Sequence, residues 1–283
     1  MDYLEFYKLN EHPFSTAVDN RFYYNSSQHS EAIIRIKYAI DTMKGLAVVV
    51  GDIGTGKTTL ARRMLDELEE EKYEAALLVV LHSSVTTDWL MKKIAVQLDV
   101  KNPGSSKVEL LGQIYERLLE IHEAGIKTVV LIDEVQMLQS QEIMEEFRGL
   151  LNMEVPGGKL LTFVFFGLPE MEELLSLDEP LKQRVAVRCR LMAFTEEVTA
   201  EYIQHRIKVA GRDKSMFKPD TVKLIHQYSK GIPRLINNIC DNTLLEGFLV
   251  KKDLIDKDIV ESVAIGLGLK TEEEKRGLKR REI

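Results

Sequence analysis

Nine consecutive residues, Gly51, Asp52, Ile53, Gly54, Thr55, Gly56, Lys57, Thr58 and Thr59, carry the plainest chemistry in the chain. They follow the spacing G-x-x-x-x-G-K-[ST] and come directly after the apolar run Leu46-Ala47-Val48-Val49-Val50. Glycines turn the backbone without a Cβ in the way, so successive N–H groups can point at one anion, the β-phosphate of a nucleotide. A helix opening near Lys57 adds the positive end of its dipole. Lys57 then supplies a point charge for β- and γ-phosphate oxygens, and the Thr58 hydroxyl a ligand for Mg²⁺.

A second constellation ends another apolar run, Val129-Val130-Leu131-Ile132-Asp133-Glu134. A carboxylate at the C-terminal end of such a strand points into the ligand crevice of a parallel sheet, where Asp133 can hold Mg²⁺ through its water shell. Glu134 beside it is the candidate general base for the water that attacks the γ-phosphorus. An Asp-Glu pair after an apolar run also suits the cap of a following helix. The phosphate loop upstream, with another strand between, favours the catalytic reading.

The elements that must hold these residues are legible as alternating periodicities. Five β-branched apolar runs, 46–50, 75–81, 128–132, 161–166 and 185–191, are predicted strands. Between them, 60–72, 87–98, 107–124 and 141–152 carry apolar residues at helical spacing. Strands alternating with helices mean a parallel sheet covered on both faces, an α/β fold. In the fifth run Arg188 and Arg190 alternate with apolar residues, which suits an edge strand. After Leu191 only helices are expected, at 196–209, 220–229, 233–248 and 257–265, with Thr195 and Asp256 as N-caps of the first and last. The predicted organisation is a nucleotide-binding domain at 1–192, a small all-helical lid at 193–266 and a charged tail at 267–283.

Composition narrows the function classes. The 283 residues carry a net charge of −7, which argues against a surface that binds polyanions throughout, although the tail residues Lys275, Arg276, Lys279, Arg280 and Arg281 could touch an acidic partner or a phosphate backbone. The N-terminus is mixed and acidic, unlike a secretory signal, and no apolar stretch approaches the ~18–20 residues of a membrane helix, so cytoplasmic residence is expected. The two cysteines, Cys189 and Cys240, fit neither a zinc motif nor a disulfide framework and read as buried thiols. The lack of an Asn-Lys-x-Asp motif argues against a GTPase.

Taken together, GDIGTGKTT, VVLIDEVQML, FVFFGLPEMEELL, LKQRVAVRCRL and SKGIPRLINNICDNTLL, in that order and spacing, resemble the AAA+ ATPases of the general secretion pathway A (ExeA-like) type. The opening YLEFYKLNEHPFSTAVDNRFYYNSSQHSEAI is similar to that family's N-terminal segment, and the likeness covers residues 3–265. The resemblance implies a P-loop sheet of strand order 5-1-4-3-2, a helical lid closing over nucleotide, ATP/ADP and Mg²⁺ as cofactors, and a homo-oligomer, ring or filament. It also implies that Arg184 reaches the γ-phosphate bound by a neighbouring subunit, and that Arg234, held near a helix start by Pro233, reads the γ-phosphate in cis. Phe14, Phe22 and Tyr23 either cover the adenine or staple the terminal segment to the core.

One departure stands out. Where the family reads Gly-Gln-Pro-Glu after the fourth strand, this chain reads Gly167-Leu168-Pro169-Glu170. Leu168 cannot hydrogen-bond the attacking water, so either another group makes that contact or intrinsic turnover is low. The function expected is an interface ATPase that assembles or remodels a protein complex, secretion or pilus related, with a membrane-associated partner able to recruit it to the inner membrane. Relatives that act in secretion often continue into a membrane helix and a periplasmic domain. The chain stops short of both, which suits a cytoplasmic paralogue or an ATPase paired with a separate membrane subunit. The alternative is a transposition-helper ATPase binding duplex DNA in an ATP-dependent manner, with steep salt dependence. A third possibility, a nucleotide-switched scaffold, is favoured by Leu168 and opposed by the intact Asp133-Glu134 pair.

Overall fold

The computed structural model describes residues 2–17 and 19–269, and the tail residues 275–281 singled out above lie outside them. The described residues divide into two compact units, Ser27–Met192 and a second one built from the stretches on either side of it. The chain opens in the second unit with the short helix α1 (Tyr3–Tyr7).

In the Ser27–Met192 unit, five strands form one parallel sheet: β1 (Leu46–Gly51), β2 (Tyr73–Val79), β3 (Lys127–Asp133), β4 (Leu161–Gly167) and β5 (Val185–Leu191). Their spatial order is β2-β3-β4-β1-β5, the 5-1-4-3-2 arrangement read from the other edge. The three inner strands are buried along their lengths, apart from half-buried Lys127 at the start of β3, because both faces are covered and every side chain needs an apolar neighbour. The outer strand β5 alternates, with Ala186, Arg188 and Arg190 exposed and Cys189 and Leu191 buried, as its sequence predicted for an edge.

Helices α2 (Ser27–Asp41) and α3 (Lys57–Glu67) cover one face, where Ile36, Ile40, Leu60 and Met64 pack on Val49, Leu131 and Val164. Helices α4 (Thr87–Gln97), α5 (Lys107–Glu123) and α6 (Gln141–Leu150) cover the other. There Phe147 of α6 meets Phe163 and Phe165 of β4 edge-on, at ring-centroid distances of 5.1 and 4.8 Å, an arrangement that adds about 1 kcal/mol per pair to the burial of the rings. A two-residue antiparallel hairpin, Glu154–Val155 with Gly158–Lys159, precedes β4. The short helices α7 (Met171–Leu175) and α8 (Glu179–Lys182) lead from β4 to β5.

The second unit contains α9 (Glu196–Val209), α10 (Pro219–Ser229), α11 (Pro233–Leu249) and α12 (Lys257–Gly266) around its own apolar core. Thr195 and Asp256 cap α9 and α12 through side-chain bonds to Val198 and Ile259 N–H. The stretch before residue 27, expected to belong to the nucleotide-binding domain, clusters with these helices instead. The physical reason is on the page. Tyr7, Leu9, Phe14 and Phe22 are buried in this core. The Tyr7 hydroxyl donates to Leu244 O at 2.8 Å, Asn10 N–H to Ala210 O at 2.8 Å, and Arg206 to the carbonyls of Pro13 and Ser15. Phe14 and Phe22 therefore act as staples of the terminal segment.

Candidate functional site

The C-terminal edge of the sheet gathers the expected loop and the expected carboxylates. β1 ends at Gly51 and α3 begins at Lys57, with the intervening turn folded back on itself: Thr55 donates its hydroxyl to Asp52 O at 2.9 Å. Gly56 caps α3 at φ 103°, a left-handed conformation that strains any residue with a Cβ, and its α-carbon faces the ring of His29, whose Nε2 would lie 3.1 Å from an added Cβ. Asp52 and Ile53 face solvent, Gly54, Thr58 and Thr59 are half-buried, and Gly51, Thr55 and Lys57 are buried. The Lys57 ammonium donates to Gly51 O at 2.8 Å and to Asp52 O at 3.1 Å, so it sits inside the turn that the spacing assigns to a phosphate.

Opposite the loop, Asp133 closes β3. Its side chain is 1% exposed, yet both oxygens are satisfied: Oδ2 accepts from the Thr58 hydroxyl at 2.7 Å and Oδ1 from Glu134 N–H at 2.9 Å. Burial pushes its carboxyl above the usual carboxylate range, and those two hydrogen bonds pull the other way. Thr58 and Asp133 are hard oxygen donors held side by side beside a phosphate loop, the donor chemistry that suits Mg²⁺. Glu134 follows with φ 59° and ψ 39°, a left-handed backbone unusual for a residue with a side chain and found where a site over-determines its geometry.

Two residues at this edge lie within the quoted segments, yet were assigned no role from the sequence. His29, on α2, is 4% exposed beneath the loop and hydrogen-bonds the Thr55 backbone; burial pushes its imidazole below the ordinary value, against that bond. Gln136, in a 3₁₀ turn at Val135–Met137, donates its carboxamide to Glu134 and accepts Leu168 N–H at 3.0 Å.

The two arginines lie elsewhere. Val185 pairs with Leu46 at the start of β1, so Arg184 stands at the N-terminal edge of the sheet, while the loop leaves from the C-terminal edge. The five steps from Leu46 to Gly51 span about 17 Å, beyond the reach of an arginine side chain to its own loop. The Arg184 guanidinium donates to Arg148 O at 3.3 Å. Arg148 pairs with Asp178 at 2.9 Å, and Asp178 caps α8. Arg234 is exposed in the first turn of α11, directly after Pro233, in the helical unit.

A parallel sheet in this order, with a phosphate loop after β1 and an Asp-Glu pair leaving β3, defines the P-loop AAA+ class. The AAA domain family matches residues 40–175. General secretion pathway protein A of Aeromonas hydrophila is 34% identical over 249 residues, covering 87% of this chain and 45% of that protein. Over the matched residues the chain resembles the ExeA-like AAA+ proteins, and it spans a little under half the length of that relative. The fold is shared with Aeropyrum pernix ORC2, solved in ADPNP-ADP complexes, at TM-score 0.68 and 14% identity over 90% of this chain and 71% of that one. Cdc6p from Pyrobaculum aerophilum is similar at TM-score 0.69 and 18% identity, over 90% of this chain and 70% of that one. Among the described residues, no helix is long and apolar enough to cross a membrane.

Proposed function

We propose that the chain is a Mg²⁺-dependent ATPase that works between subunits to assemble or remodel a protein complex of a secretion or pilus system. The observation that carries this reading is the meeting of Lys57, Thr58 and Asp133 at one sheet edge, with Glu134 next in sequence. The backbone N–H groups of 54–58 and the Lys57 ammonium hold the β- and γ-phosphates, exchanging the loop carbonyls for phosphate oxygens. Thr58 and Asp133 hold Mg²⁺, which when bound neutralises charge on the phosphates. Glu134 takes a proton from the water that attacks the γ-phosphorus, leaving ADP and inorganic phosphate.

Arg184 completes the site of a neighbouring copy, where its cation offsets charge developing on the transferred group. Its place at the sheet edge remote from its own loop supports that role. Arg234 reads the γ-phosphate from the helical unit of the same chain. The likeness to general secretion pathway protein A supports a secretion-related partner, membrane-associated and able to recruit the chain to the inner membrane. The test is phosphate release from ATP with Mg²⁺ or with chelator, each with and without duplex DNA, alongside size-exclusion chromatography. Mg²⁺-dependent release with nucleotide-dependent assembly is expected. Release that needs DNA would move the chain to the transposition-helper reading, and no nucleotide binding would sink both.

A further inference from the structure

Leu168 leaves the exit of β4 without a polar side chain, at the place where a water-attacking site needs its base held still. The structure puts a carboxamide there from the turn that follows β3. After Glu134 the left-handed backbone turns the chain, and the 3₁₀ turn at Val135–Met137 brings Gln136 back across the ends of β3 and β4. Gln136 Nε2 donates to Glu134 Oε2, and Gln136 Oε1 accepts Leu168 N–H at 3.0 Å. The amide is thus pinned at both ends, and among the described residues only one of the two Glu134 oxygens is taken.

The close approach is built in. A Cβ on Gly167 would come within 3.0 Å of Gln136 Oε1 and of Met171 Sδ, so glycine at 167 is what lets the amide lie against the end of β4. Met171 begins α7 and is buried, which gives the amide a fixed wall. A neutral carboxamide suits this position. It can donate to a carboxylate and accept from a backbone N–H at once, which neither a lysine nor a carboxylate can do.

We propose that Gln136 is a positioning residue that orients Glu134 for the attacking water and stands in for the polar side chain that position 168 lacks. This rests on the ATPase reading above. Gln136 acts through Glu134: held by one oxygen, the carboxylate presents the other in a fixed direction, and loss of that orientation costs turnover without costing nucleotide affinity. It also ties the base to β4, so that the exits of the two strands move as one.

The test uses the full chain, ATP and Mg²⁺, with phosphate release for kcat and KM and a fluorescent ATP analogue for affinity. Gln136→Met keeps the side-chain length and removes both hydrogen bonds; kcat should fall by about 10²-fold, with KM and nucleotide affinity within a few-fold of the parent. Adding Leu168→Gln to Gln136→Met returns an amide to the same strand exits and should recover at least about tenfold of the loss, which a merely structural role for Gln136 would not allow. An unchanged kcat in Gln136→Met, or no recovery in the double variant, overturns the proposal while leaving the ATPase reading intact. A parent chain that binds ATP and never hydrolyses it, alone or with partner, overturns both. Should Gln136→Met not fold, Gln136→Glu carries the test: it can accept from Leu168 N–H but sets a carboxylate against Glu134, and an unchanged kcat there is equally decisive against the proposal.

Discussion

Thr58 Oγ1 donates to Asp133 Oδ2 at 2.7 Å, across 75 positions of sequence. One end of the contact belongs to the first turn of α3 and the other to the last residue of β3, so the loop and the carboxylate fix each other's rotamers. If the pair shares one Mg²⁺, either partner alone should bind it poorly. Thr58→Ala and Asp133→Asn should each raise the Mg²⁺ concentration at half-maximal turnover by about 10- to 100-fold, the range seen when a metal site loses a supporting contact. Titrating Mg²⁺ at fixed ATP checks this. A midpoint unmoved in both variants would separate the contact from metal binding.

Lys57 and Glu134 should fail differently. Lys57→Ala leaves phosphate charge facing a loop with one cation fewer, and most Mg-ATP affinity should go. Glu134→Gln keeps size and hydrogen-bonding shape but cannot take the proton, so ATP should bind and persist while turnover drops by about 10² to 10⁴-fold. Fluorescent-nucleotide titration of both, beside single-turnover hydrolysis, decides it. Equal loss of affinity in the two would dismantle this division of roles.

The position of Arg184 at the far edge of the sheet gives a complementation test. Arg184→Ala has an intact loop and donates no cation; Lys57→Ala donates a good cation to a neighbour and has no working loop. Neither should turn over alone, and mixtures should recover activity where the first receives Arg184 from the second. Size-exclusion chromatography with ATP and Mg²⁺ establishes that mixed assemblies form. Mixed assemblies without activity would confine Arg184 to its contact with Arg148 O.

His29 makes stability of the sheet unit depend on pH. Its pKa is lowered in the folded state, chiefly by burial, so the unfolded chain binds the proton more readily. The contribution is fully present above the unfolded value of about 6.5 and is lost as pH falls toward the lowered folded one. Denaturation midpoints measured from pH 8 down to pH 5 should therefore fall more steeply for the parent than for His29→Gln. Parallel curves would remove His29 from the account.

Much of this site was readable because its motifs are local. The phosphate loop and the Asp-Glu pair are each contiguous, and the strands before them carry the unbroken apolar runs 46–50 and 129–132, since the inner strands are covered on both faces. The missed boundaries have local causes. The apolar run at 75–81 suggested a strand two residues too late: Tyr73 and Glu74 already pair with Lys127 and Thr128, while Val80 follows the end of β2 with a last bond to Asp133 O. Helix α3 starts at Lys57, where the phosphate-loop spacing put it and three residues before its apolar periodicity shows, because the positive-φ Gly56 caps it inside the loop. It stops at Glu67 well short of residue 72, where Leu68 turns extended ahead of an acidic run. His29 and Gln136 could not be found this way. Each is a single polar residue whose meaning comes from what the fold sets against it, Thr55 in one case and Leu168 in the other.

The interrupted make-up of the helical unit also imposes an order on synthesis. Its chain is left at Ser26 and resumed at Ala193, with the whole of the sheet unit made between. On the ribosome the sheet unit is complete while Tyr7, Leu9, Phe14 and Phe22 still lack the helices that bury them. At ordinary elongation rates that interval lasts roughly 10 to 30 s. These aromatics are thus made before the sheet unit and meet their core only after it, and they must be kept from other apolar surfaces for the whole of that time.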